Sequence, residues 1–309
     1  MNGNSPGGHE RKLADPFPIA YVALTVSNLE KSSAFYQSVL GLTVLLNTDR
    51  FAVLGSFDGR PFILLAQPER TVPSGPRAAG LDHFALLVPN RLELSRHMAR
   101  IRDMNYPIAM VADHLVNESV YIRDPDGMLI EITRDLAPGE LADRKPLHPD
   151  ELQDQLLGLA RHPHLSRLSE ERKIGHILLR VSNLSEAAQY YVEHLGFQVS
   201  MRMPGAVFVS SGAYHHHLGF HVWESEGGPP PDARAIGLRH YGVFAAHDES
   251  RQESLMPTNK TPFPRFEKDP AGNGIVFIQR AHANPRDLID LDQRFEQQIM
   301  GEGKTEWMW

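Results

Sequence analysis

Residues 21–44 (YVALTVSNLEKSSAFYQSVLGLTV) and 176–199 (HILLRVSNLSEAAQYYVEHLGFQV) align without a gap at an offset of 155, with identity at nine of 24 positions. A duplication of this length constrains the fold more than any composition could, because the two halves of the chain must build the same local structure. Each copy reads as a strand with alternating residues and then a Ser-Asn pair suited to capping a helix. A helix follows with Leu29, Tyr36 and Leu40 on related faces, stopped by Gly41 in one copy and Gly196 in the other. The turn segment DPDGMLIEI at 124–132 returns as DPAGNGIVF at 269–277. Each half divides again. Residues 81–89 (LDHFALLVP) form a strand followed by a helical segment over 92–104, and 238–245 (LRHYGVFA) opens the matching unit. The chain therefore reads as four strand–helix–three-strand units starting near residues 19, 81, 174 and 238.

Within the second unit, residues 113–133 read as a hairpin: a β-branched run, the turn Asp124-Pro125-Asp126-Gly127, and a second apolar run. That second run holds one carboxylate, Glu131, between Ile130 and Ile132. On a strand it points away from the face the isoleucines occupy. If buried, it needs a metal, a cation or hydrogen-bond donors to stay ionised. The alternative is an edge hairpin with Glu131 in solvent. Tyr121 precedes it by ten residues, and His114 precedes the tyrosine by seven.

Composition narrows the chemistry. With no cysteine there is no disulfide, no thiolate metal site and no cysteine nucleophile, so any metal is held by His, Asp or Glu. A net charge of −7 without a basic cluster argues against nucleic acid or an anionic membrane as partner. The first residues carry no apolar targeting segment and no run approaches spanning length, which makes the cytoplasm the expected compartment.

The repeated V-S-N-L…Y…L-G openings, the DPDG…IE ending of the first half and the GAYHHHLGF stretch at 212–220 resemble the vicinal-oxygen-chelate superfamily, which includes glyoxalases, bleomycin resistance proteins and extradiol dioxygenases. Within it the chain is similar to the two-domain catechol 2,3-dioxygenase-like proteins. The resemblance implies an α+β fold of four βαβββ modules, forming two paired-module domains with curved mixed sheets around a cavity. The expected divisions are a flexible tail at 1–17, a first domain at 18–134, a linker with a helix at 135–173, a second domain at 174–280, and a partly helical tail at 281–309.

In such a fold each module offers one inward position on its first strand and one near the end of its last. The first module offers Tyr21 and Leu65, the second His83 and Glu131, the third His176 and a histidine of 215–217, the fourth His240 and Val276. The usual extradiol layout draws its ligands from the third and fourth modules; here Val276 and Phe266 break it. Pairing the second module with the third restores a two-histidine, one-carboxylate set of His83, Glu131 and His176, suited to Fe(II), with Mn(II) as the other candidate ion. The implied substrates are an aromatic vicinal diol and O₂. Alternation over a strand would place His215 and His217 on one face and His216 on the other. His216 or His217 is expected as the acid–base group, and Tyr121 and His114 as companions of Glu131. A metal-dependent glyoxalase-like isomerase or lyase and a metal-free binding protein are the rival readings, and self-association is left open.

Overall fold

The computed structural model describes residues 19–141, 144–159, 168–212, 214–244, 263–280 and 283–300. The tail at 1–17 lies outside them. The first module runs β1 (Ile19–Thr25), α1 (Leu29–Ser38), β2 (Thr43–Asn47), β3 (Phe51–Gly55) and β4 (Pro61–Ala66). The second runs β5 (Gly80–Leu87), α2 (Arg91–Asp103), β6 (Ile108–Asp113), β7 (Asn117–Arg123) and β8 (Leu129–Asp135). Between the halves stand α3 (Pro138–Leu141) and α4 (Pro149–Leu159). The third module comprises β9 (Lys173–Arg180), α5 (Leu184–Gln189) with a π-helical turn at Tyr190–His194, β10 (Gln198–Met203), β11 (Ala206–Ser210) and β12 (Leu218–His221). The fourth supplies β13 (Gly237–Phe244), β14 (Arg265–Lys268) and β15 (Gly274–Ile278), followed by α6 (Pro285–Phe295).

The repeat is visible in local detail. Asn28 caps α1 by accepting from Lys31 N, and Asn183 caps α5 by accepting from Ser185 N and Glu186 N. Gly41 and Gly196 both adopt positive φ (66° and 77°), where a β-carbon would be strained. The DPDG turn closes on Asp124, whose Oδ1 accepts from Asp126 N and Met128 N; Asp269 accepts from Ala271 N and Asn273 N in the same way. These aspartates are turn formers, as their sequence context indicates.

The strands assemble into two mixed sheets. One has seven strands in the order β14-β15-β13-β1-β4-β3-β2, and the other eight in the order β10-β11-β12-β9-β5-β8-β7-β6. Each sheet thus takes one module from each half of the sequence: first with fourth, second with third. Repetition runs between the two halves of the sequence, whereas sheet pairing joins β1 to β13 and β5 to β9, both antiparallel.

Period-two alternation separates two cores. On β1, Val22 and Leu24 face the main core with Phe35 and Tyr36 of α1. Tyr21 and Ala23 face the other way, into a smaller cluster with Val276 and with Leu288, Leu291 and Phe295 of α6. Burying those three α6 side chains contributes about 1.5–3 kcal/mol each, which explains why a segment beyond the repeat docks on the first sheet. In the linker, α4 buries Leu152 and Leu156, and Ser95 of α2 donates to the Leu156 carbonyl.

One local expectation needs correction. The stretch at 212–220 is not one strand: β12 begins at Leu218. The ladder is anchored where His217 N donates to Val209 O and Ile177 N donates to His217 O. Upstream of that point, Tyr214, His215 and His216 are bent away so that their rings pack edge-on or tilted against one another, with His215 and His216 against His176, and strict alternation does not govern them.

Candidate metal centre

Three neighbouring strands of the eight-stranded sheet bring His83, Glu131 and His176 to one face. Ala85 on β5 is in register with Glu131 on β8 and with His176 on β9, and His83 stands two residues earlier on β5. Adjacent strands are about 4.8 Å apart, so His176 and Glu131 must reach across β5. They do so over the small, fully buried Ala85. His176 Nε2 lies 2.9 Å and His83 Nε2 3.2 Å from the same oxygen, Glu131 Oε2.

This geometry fits a divalent ion. Mutually cis ligands at about 2.1 Å from an octahedral ion are about 3 Å apart, close to the two separations seen. The three donor atoms all lie within 4.8 Å of one another. The other carboxylate oxygen, Oε1, is held by the Ser119 hydroxyl at 2.6 Å, which leaves Oε2 facing the two imidazoles. Ser119 in turn lies 2.8 Å from Thr133 Oγ1. Glu131 and His176 are nearly sealed from solvent, whereas the His83 side chain keeps 12% exposure.

Electrostatics divides the protons unequally. Burial alone would hold His83 neutral, but hydrogen bonds to Asp82 and Glu131, with their charges, lift its pKa to about 9. Burial also works against ionising Glu131, yet His176 and His83 hold its carboxyl well below the usual range. His176 is pushed down by burial, with Glu131 opposing. Its Nδ1 is buried without a hydrogen-bond partner.

The other expected residues fall around this set. Tyr121 pairs in register with Glu131 across β7 and β8, and its ring stands edge-on to His83 at 5.9 Å between centroids. Its hydroxyl is 2.9 Å from His114 Nε2. Burial and the Glu131 charge raise its pKa far above that of a free phenol, so it stays a neutral donor. Within the histidine run, His216 is the one against the centre, its ring 4.4 Å from that of His176. His215 Nδ1 is 2.7 Å from His216 Nδ1, and His215 Nε2 is 3.0 Å from Asp135 Oδ1. His217 is directed to the end of β11, with Nδ1 3.2 Å from Ser210 Oγ. Ser119 and Asp135 escaped the sequence reading. Alternation along NESVYIR at 117–123 places Ser119 on the face of Tyr121, a signal that would have found the first; nothing local marks the second.

The seven-stranded sheet carries the duplicate of this arrangement in another state. His240 stands where His83 does, Tyr21 where His176 does, Gly242 where Ala85 does and Val276 where Glu131 does. A β-carbon at Gly242 would strike the Tyr21 ring, so the tyrosine lies flat against the strand. His240 is fully buried, its Nε2 is 3.0 Å from Asp292 Oδ1 of α6, and Phe295 covers its ring at 4.7 Å. Arg239 holds Asp292 through two nitrogens, at 2.7 and 2.9 Å. Helix α6 thus occupies the ground that a ligand would need.

Two mixed sheets built from duplicated βαβββ modules, one bearing a histidine–carboxylate cluster, define the class of protein. The chain belongs to the Glyoxalase/Bleomycin resistance protein/Dioxygenase superfamily, whose family model matches residues 18–132 and 173–277. It is 37% identical over 240 residues to the catechol-2,3-dioxygenase of Bacillus subtilis (strain 168), spanning 75% of this chain and 84% of that protein. Biphenyl-2,3-diol 1,2-dioxygenase 3 of Rhodococcus globerulus is 27% identical over 165 residues, 51% of this chain and 83% of that one. The fold is shared with crystalline glyoxalase I from Zea mays, at a TM-score of 0.53 and 13% identity over 91% of this chain and 96% of that one. Among the described residues no helix is long and apolar enough to cross a membrane.

Proposed function

We propose that the chain is an extradiol-type ring-cleaving dioxygenase, acting on a catechol or a related aromatic vicinal diol, with Fe(II) held by His83, Glu131 and His176 and with Mn(II) as the alternative ion. The observation that carries this reading is the convergence of two imidazole nitrogens on one carboxylate oxygen at 2.9 and 3.2 Å. A two-histidine, one-carboxylate face leaves positions for a bidentate diol and a gas molecule. The 37% identity to a protein named catechol-2,3-dioxygenase supports the same reaction class.

Bound there, the ion supplies Lewis acidity that lowers the hydroxyl pKa of the diol and a path for electrons between diol and dioxygen. The chain supplies the rest. Ser119 keeps Glu131 oriented with Oε2 toward the histidines. Tyr121, neutral and beside Glu131, would hydrogen-bond an anionic substrate oxygen through its hydroxyl and keep its own proton. His216 would receive a hydroxyl proton from the diol and return it to the ring-opened product. His215 Nε2–H donates to Asp135, so His215 Nδ1 accepts from His216 Nδ1–H, which leaves the His216 Nε2 lone pair free. Burial first, and the neighbouring His176 and His215 after it, depress the His216 pKa, so the ring stands unprotonated before the reaction.

The test is metal analysis of anaerobically purified protein together with O₂ uptake on adding catechol. Bound iron, with uptake and a ring-opened product carrying both atoms of O₂, is the expected result. Metal without uptake would select an isomerase or lyase, and absence of metal a binding protein.

A further inference from the structure

Asp82 immediately precedes His83 on β5, and neighbours along a regular strand point to opposite faces. Here they do not. The pairing of β5 with β9 passes from Leu81↔Leu179 to His83↔Leu178, so Asp82 is the extra residue of a β-bulge. The bulge swings its carboxylate back beside the neighbouring ring, with Oδ1 2.8 Å from His83 Nδ1. The other oxygen, Oδ2, lies 3.3 Å from Nε2 of His221, a fully buried side chain at the end of β12. His221 Nδ1 faces the backbone N–H of Trp223 at 3.4 Å, and the Trp223 ring stacks on the imidazole at 4.3 Å.

These contacts fix the tautomers in sequence. An N–H pointing at His221 Nδ1 requires a lone pair there, so the proton of His221 is on Nε2, the nitrogen that lies 3.3 Å from Asp82 Oδ2 without a hydrogen bond of good geometry to it. Asp82, acceptor only, takes the N–H of His83 Nδ1. His83 is left with Nε2 as the atom that faces Glu131 Oε2 and His176. We infer that Asp82, set beside His83 by the bulge and flanked by His221, is the positioning residue for His83: it fixes the ring so that Nε2, and not Nδ1, ligates the metal. This rests on the metal site proposed above. Carboxylates in this relation to a ligating imidazole orient the ring and raise its basicity.

The duplicate module serves as an internal control. The pairing of β13 with β1 carries the same bulge, stepping from Ala23↔His240 to Leu24↔Leu238, so Arg239 takes the position of Asp82. Arg239 recruits Asp292, and that carboxylate meets His240 at Nε2, the nitrogen that would have to ligate. One bulge therefore frees Nε2 where a carboxylate ligand follows at Glu131 and helps to block it where Val276 stands instead. Asp82, His221 and Glu224 also lie close enough to hold an ion of their own, but the Trp223 N–H opposes the lone pair that such a site needs on His221 Nε2.

The experiment is titration of the metal-free full chain with Co(II) against a chromophoric chelator, in wild type, Asp82→Ala, Asp82→Asn, His221→Phe and Glu131→Ala, with the metal-free melting temperature of each. The expected result is one bound equivalent in wild type, lost in Glu131→Ala. Asp82→Ala should weaken it by about 10- to 100-fold, and Asp82→Asn, which keeps one acceptor oxygen, should lose less. His221→Phe should fall between wild type and Asp82→Ala. Wild-type affinity in Asp82→Ala alongside loss in Glu131→Ala would overturn the role of Asp82 alone. Indifference to Glu131→Ala would overturn the metal site and the inference with it. Affinities that merely track the metal-free melting temperatures, or a second equivalent removed by His221→Phe, would also overturn it.

Discussion

Replacing Glu131 and His240 separately distinguishes the two faces on which this chain could hold a metal. Both changes should cost stability in the metal-free protein. Glu131→Ala removes the buried acceptor shared by His83 and His176, and breaking a buried pair of this kind costs about 3–5 kcal/mol. His240→Ala removes a ring packed against Phe295 and bonded to Asp292, although Arg239 still neutralises that carboxylate. The informative quantity is therefore the rise in melting temperature on adding metal, taken within each variant. At a free metal concentration 100-fold above Kd, binding to the native state alone adds about 2.7 kcal/mol. At about 2–4 °C per kcal/mol for domains of 150–250 residues, that is a rise of about 5–11 °C. Wild type and His240→Ala should show the full rise under anaerobic Fe(II). Glu131→Ala, left with two imidazoles, should show almost none. A rise that survives Glu131→Ala and disappears in His240→Ala would place the metal on the seven-stranded sheet and refute the reasoning.

Two further outcomes follow from the same geometry. His216→Phe should leave metal bound and slow turnover by about two to four decades, the range for loss of a general acid–base group; a variant that loses the metal would make His216 a ligand instead. His97 on α2 is fully buried with neither ring nitrogen partnered, and burial, with Arg172 and Arg100, depresses its pKa far below the usual value. The unfolded chain takes up a proton there below about pH 6.5 more readily than the folded one, so stability falls as pH drops through that window, by at most about 2 kcal/mol at pH 5. His97→Leu should flatten this part of the curve in denaturant titrations at pH 5 and pH 8; an unchanged difference between the two pH values would refute the assignment.

Much of this organisation is legible in the sequence because the repeat carries it. The capping Asn28 and Asn183, the stops at Gly41 and Gly196, and the Asp124 and Asp269 turns are local devices, each written in a few consecutive residues. The alternation of Ile130, Glu131 and Ile132 likewise states which way the carboxylate points. What the sequence conceals depends on registers between distant strands. The bulge at Asp82 inverts the direction that alternation assigns, and only the offset of β5 against β9 reveals it. The histidine run reads as strand because its composition resembles one, yet the ladder starts only at His217 and the residues before it bend to pack against His176. Helix α6 lies beyond the repeat, so no comparison of the two halves would place Asp292 and Phe295 against His240.

The pairing of modules gives those differences their meaning. Because first pairs with fourth and second with third, each sheet has its own pair of central strands. Four positions separate the two faces: His176 against Tyr21, Glu131 against Val276, Tyr121 against Phe266, and Asp82 against Arg239. On the seven-stranded sheet all four changes favour packing. Val276 and Tyr21 join the cluster that α6 completes, Phe266 packs against it, and Arg239 anchors the helix through Asp292. On the eight-stranded sheet the same positions keep polar groups that no core would retain without a charge to satisfy them, since buried imidazoles and a carboxylate are costly unless they are mutually held or bound to an ion. A duplicated scaffold can serve as structure on one face while the other keeps the polar groups of the proposed metal site, and the two faces here differ in that way.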